Sequence, residues 1–68
     1  MNAASLDRSA RLARVLKVLK RRKESTTLQI MDEARVCAVS ACISEIRQQG
    51  YPISCQRRQG LYYYTLEA

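Results

Sequence analysis

The chain contains no histidine, only two glycines and a single proline. Without histidine, no side chain changes charge near neutral pH in its ordinary state, and a Cys/His zinc site would need carboxylates or a second chain. Two isolated glycines cannot form a phosphate-cradling loop. The three cysteines, Cys37, Cys42 and Cys55, are odd in number and lack the C-x-x-C spacing. That argues against a disulfide framework and against a redox or metal centre; small buried or half-buried thiols, reduced in a cytosolic setting, are expected instead. Long apolar runs are also missing, because Lys or Arg interrupts each apolar-rich stretch within a few residues. Neither a signal peptide nor a membrane-spanning helix is expected, and a membrane is not an expected partner. With no catalytic constellation and too little body to enclose a substrate, an enzyme is the weakest class: no catalytic residue, metal ligand or cofactor is expected.

Sixty-eight residues make one domain over 1–68, with 1–5 expected to be disordered. A chain this short buries only about 60% of the surface its unfolded form exposes, which leaves one core and nothing to divide. At 47% hydrophobic and 26% charged, the composition is that of an ordinary globular domain. The balance of 12 Lys and Arg against 6 Asp and Glu gives a net charge of +6. So dense a positive field on a small body attracts polyanions through counterion release, which makes DNA, RNA and anionic membranes the partners to weigh against a merely soluble surface.

Between Ser5 and Lys23, Leu12, Val15, Leu16 and Leu19 recur at helical spacing on one side, while Arg14, Lys17 and Arg21 lie on the other. This predicts a first helix, apolar within and basic without. Thr26-Thr27-Leu28-Gln29 has the S/T-x-x-E/Q spacing of a capping box, so a short second helix is predicted to start near Thr27 with Ile30, Met31 and Ala34 inward. A third helix is predicted from about Cys37 to Gln49, where Val39, Ile43 and Ile46 keep helical phase and Gly50 ends it. Pro52 blocks continuation. Ile53 to Arg57 then alternates apolar with polar, Arg58-Gln59-Gly60 marks a turn, and Leu61 to Leu66 is rich in strand formers: a two-stranded β-hairpin.

Three helices with a tight second-to-third connection and a following hairpin make an α+β, mainly α, layout that of the winged helix-turn-helix. The segments Ile46-Arg47-Gln48-Gln49-Gly50-Tyr51-Pro52-Ile53 and Gly60-Leu61-Tyr62-Tyr63-Tyr64-Thr65-Leu66 resemble the pattern of small phage and prophage winged-helix proteins. The same residues are similar to the N-terminal domain of biotin-operon repressors. The resemblance runs from about Ala10 to Leu66 and implies binding to double-stranded DNA in transcriptional control of phage or host genes. It implies a bacterial cytoplasmic or nucleoid address. One departure stands out: Arg35 or a neighbour occupies the inter-helix turn where a glycine is often found, at a cost of about 1 kcal/mol if its φ is positive.

If the third helix enters a major groove, the residues opposite its apolar face are Cys37, Ala41, Ser44 and Gln48, flanked by Ala38 and Glu45. Gln48 has the geometry to bridge two adenine atoms, Ser44 donates or accepts, and Ala41 suits a thymine methyl. A bland exposed face is the equal alternative. Arg47 suits either a phosphate or the helix dipole. Thr26 and Thr27 present hydroxyls and helix-end N–H groups suited to a phosphate, or serve as an ordinary cap. Arg57, Arg58 and Gln59 at the hairpin tip are the favoured contacts to a minor groove or backbone. Alternation puts Tyr62, Tyr64 and Leu66 on one face, for which core packing is expected; the resemblance implies that Tyr64 and Leu66 pack inward with Ile53 and Cys55, and Leu61 and Tyr63 are left as an exposed apolar face for a partner protein. The stripe of Arg14, Lys17 and Arg21 reads by default as a solvated face. The leading reading is thus a duplex-DNA regulator acting as a homodimer or as cooperative copies. Its rival is a winged-helix protein-interaction module, an adaptor or anti-repressor.

Overall fold

A computed structural model describes residues 9–67. The disorder expected over 1–5, and the expected start of the first helix at Ser5, lie outside these residues. Helix α1 (Ala10–Arg21) opens at Ser9, whose hydroxyl accepts the Leu12 N–H at 3.2 Å. Its buried side holds the four predicted leucine and valine positions and Val18 as well, so the buried arc is wider than one stripe. The cause is its central position: α1 packs against both other helices and the sheet.

After α1 the chain is extended through β1 (Ser25–Thr26) and enters α2 (Thr27–Ala34). The capping box is complete: the Thr26 hydroxyl accepts the Gln29 N–H at 3.2 Å, and the Gln29 side-chain oxygen accepts the Thr26 N–H at 2.9 Å. Arg35 ends α2 in the left-handed conformation, φ 57°, ψ 50°, with its N–H donating to the Met31 carbonyl. Arginine thus does at this turn what glycine does at lower cost.

Helix α3 (Val39–Gln48) starts two residues later than its apolar phase predicts. Val36 is drawn into the core, and Cys37 and Ala38 are used in turning the chain; Ala38 has no side chain to cap with, and its carbonyl accepts the Cys42 N–H at 3.1 Å. Cys37 therefore belongs to the turn and not to the helix. Val39, Cys42, Ile43 and Ile46 form the inner face, and Gly50 at φ 99° turns the chain away.

The hairpin consists of β2 (Ile53–Arg58) and β3 (Leu61–Leu66). Its two-residue turn, Gln59 at φ 54° and Gly60 at φ 80°, has the left-handed pair that suits the natural twist of antiparallel strands. The sheet has three strands and not the two expected, in the order β1-β3-β2, with Ser25 opposite Tyr64 and Thr26 opposite Tyr63. A two-residue strand is too short to show alternation, and here its second residue also caps a helix.

The helices cover only the base of the hairpin. Ile53 and Tyr64 are buried, Leu66 is half-buried, and Cys55 and Tyr62 on the same face are exposed, Tyr62 at 48%. The inward placement expected for Cys55 and Tyr62 fails because the strands outrun the core at that point. Tyr63, expected to face fully outward, is instead half-buried beneath Arg58.

Candidate nucleic-acid interface

Helix α3 presents Ala41, Ser44 and Gln48 on the side opposite its buried residues, and all three are exposed. Ser40 and Arg47 lie along one flank and Glu45 along the other. Ser40 escaped the sequence reading, although it stands one turn before Ser44 at i−4. Glu45 is the only carboxylate on α3, and it forms a 3.3 Å ion pair with Arg11 of α1. That draws the negative charge toward α1 and leaves a small neutral face. Arg47 is also partly committed, since its Nε donates to the Ile53 carbonyl at 3.0 Å and ties α3 to the start of β2. Cys37 and Ala38 are exposed in the turn ahead of the helix. Thr26 and Thr27 are half-buried at the start of α2, where the Thr26 hydroxyl is occupied by the cap.

Arg57 and Arg58 are neighbours in β2 and therefore point to opposite faces of the sheet. Arg57 is opposite Tyr62 on the face that carries the core, with its guanidinium carbon 5.9 Å from the Tyr62 ring centre. Arg58 is on the outer face, 4.0 Å above the Tyr63 ring, and donates to Glu24 at 2.6 Å. A cleft lined by Arg58, Gln59 and Tyr63 lies beside it. The two arginines treated as a pair in the sequence thus occupy different surroundings, and Arg57 is the one without a carboxylate partner.

The basic stripe on α1 is divided in the same way. Arg14 Nε donates to the Ala34 carbonyl at 2.7 Å and satisfies an orphan group at the end of α2. Arg21 and Arg22 both bond Glu33 of α2. The hydrogen bond from Arg22 holds the Glu33 carboxyl below the ordinary carboxylate range, against a desolvation that opposes it, with Arg21 adding in the same direction. Much of the α1 charge is therefore structural. Among the described residues Lys17, Lys20, Lys23, Arg35 and Arg57 are exposed and have no acidic partner.

A family model for a winged helix-turn-helix domain matches residues 11–63. The chain belongs to the winged helix-turn-helix family. Helices α2 and α3 are the helix-turn-helix, with Arg35 in its turn, and β2–β3 is the wing. No curated protein and no solved structure matches the chain. No helix among the described residues is long and apolar enough to cross a membrane.

Burial sorts the cysteines of this winged helix. Cys42 is buried within α3, where burial pushes its thiol up, while Cys37 and Cys55 are exposed. Among the described residues no cluster of His, Cys, Asp or Glu could hold a metal.

Proposed function

We propose that the protein binds double-stranded DNA as a transcriptional regulator of phage or prophage type, with α3 in the major groove and the wing on the adjacent minor groove or backbone. The observation that carries this reading is the outer face of α3: Ala41, Ser44 and Gln48 are exposed and small or neutral, and the only carboxylate of the helix is drawn aside by Arg11. A helix approaching base edges needs such a face, because an unpaired carboxylate among phosphates is repelled. The unpartnered cations away from the rear of α1, Arg35 and Arg57 among them, supply affinity without sequence information. Arg57 contacts DNA from the wing, Arg47 and the start of α2 at Thr26 and Thr27 contribute backbone contacts, and Gln48 and Ser44 read bases. One module this small buries roughly 600–1,000 Å² on DNA, so tight selection comes from a dimer or from cooperative copies.

Amide chemical shifts recorded during titration with duplex DNA test the placement. The largest changes are expected over 40–48 and at Arg57, with the rear of α1 at Lys17 unaffected. Changes confined to α1 would overturn the docking.

A second reading, a protein-interaction module, is supported by exposed apolar side chains on both faces of the wing, Leu61 on the outer face at 45% and Tyr62 on the other at 48% exposed. A stable protein complex lost in Tyr62→Ala, with no duplex binding at low salt, would establish it in place of the first.

A further inference from the structure

We propose that Glu24 competes with DNA phosphate for Arg58, and so limits how much of the wing's charge reaches DNA. The inference rests on the duplex-binding reading and concerns the affinity of that same site. Its basis is a three-strand arrangement on the outer face of the sheet. Glu24 immediately precedes β1 and lies on the same side as Thr26, which is opposite Tyr63 of β3, which is in turn opposite Gln56 of β2. The guanidinium carbon of Arg58 lies over the Tyr63 ring, 4.0 Å from its centre, and the guanidinium bonds the Glu24 carboxylate at 2.6 Å. The guanidinium is thereby folded back across the sheet toward the root of the wing.

The hairpin does not need this contact in order to form. Strands β2 and β3 are paired along their whole length and closed by a favourable turn, and the two side chains are 49% and 43% exposed. An exposed pair is weak, worth a factor of about two to five in an equilibrium constant, and can exchange. The competing ligand is built in the same way: a phosphate presents oxygens to the same guanidinium N–H groups as a carboxylate does. A phosphate that captures Arg58 must displace Glu24 and then tolerate a carboxylate left nearby. Glu24 opposes that contact on both counts, and Arg57, on the other face, escapes it.

The test is a double-mutant cycle on the full chain, with a fluorescent duplex titrated by wild type, Glu24→Gln, Arg58→Ala and the double variant at several salt concentrations. Glu24→Gln is expected to bind about two- to fivefold tighter than wild type, and its plot of log affinity against log salt should be steeper by about 0.9, the value of one further phosphate contact. In the Arg58→Ala background the same change should leave affinity within about twofold. Glu24→Ala should repeat the gain, since it also removes the amide oxygen through which glutamine could still hold Arg58. An equal gain with and without Arg58 would reduce Glu24 to one unit of net charge and overturn the competition, as would no gain at all. Absence of duplex binding by all four proteins at low salt would overturn the DNA-binding reading and this inference with it, whereas binding with additive effects would overturn the inference alone.

Discussion

Replacing Arg35 by glycine should make the protein more stable, although it deletes a side chain and shortens nothing. Arg35 sits at φ 57°, ψ 50°, where a side chain with a Cβ costs roughly 1–2 kcal/mol relative to glycine. Against this, glycine gives the unfolded chain more freedom, a penalty of about 0.5–1 kcal/mol. The loss of a cation at the end of α2 removes a further ~0.3 kcal/mol or more of favourable interaction with the helix dipole. The side chain is exposed and has no acidic partner among the described residues, so no ion pair is lost. The backbone bond from Arg35 N–H to the Met31 carbonyl does not depend on residue type. Arg35→Ala supplies the reference, since it removes the same charge and keeps the strain. Arg35→Gly should exceed Arg35→Ala by about 0.5–1 kcal/mol, the difference between the two backbone terms. In a domain of this size that is a rise in Tm of about 2–8 °C. Urea and thermal denaturation followed by circular dichroism would measure it. Equal stability of the two variants, or a more stable alanine variant, would refute a strained turn.

The acid side of the stability curve should depend on Glu33. Its carboxyl is held below the ordinary range chiefly by Arg22, so its contribution is fully present above about pH 4.3 and is lost as pH falls through the lowered value. Glu33→Gln should lower stability at neutral pH and flatten the acid limb; an unchanged acid limb would show that the two arginine bonds contribute nothing. Thiol labelling should sort the cysteines: Cys37 and Cys55 should react in the native protein, and Cys42, buried and with its thiol pushed up, only on unfolding. Rapid labelling of Cys42 at native pH would contradict the packing of α3. Thr26→Ala should cost about 1 kcal/mol in thermal or urea unfolding, because it removes the hydroxyl that closes the capping box; an unperturbed Tm would refute that role.

Much of the fold could be read from local pattern. The apolar spacing of α1 and α3, the Thr26–Gln29 box and the Gln59-Gly60 turn each act over a few residues, and each is realised. The third strand was not legible, because Ser25 and Thr26 are extended by virtue of pairing with Tyr64 and Tyr63 far along the chain. Alternation correctly assigned the faces of the wing but not their burial: Tyr62 and Cys55 share a face with Tyr64 and are exposed because the helices stop short of them. The candidate interface was legible as residue types on a helix face and at a turn. The pairings that sort its charges were hidden, since Glu24 with Arg58 and Arg11 with Glu45 are each 34 residues apart. No periodicity carries such a contact, and it is the Glu24 contact that engages Arg58 while Arg57 keeps only the Tyr62 ring beside it and no acidic partner among the described residues.

Salt dependence of duplex binding, measured by fluorescence anisotropy for wild type and Arg57→Ala, tests the proposed DNA contact most directly. Wild type should bind at about 50 mM salt and lose affinity steeply as salt rises, with Arg57→Ala weaker and its log–log slope smaller by about 0.9. Binding that is absent at low salt, or insensitive to salt, or unchanged in slope by Arg57→Ala, would contradict a wing that meets DNA through Arg57.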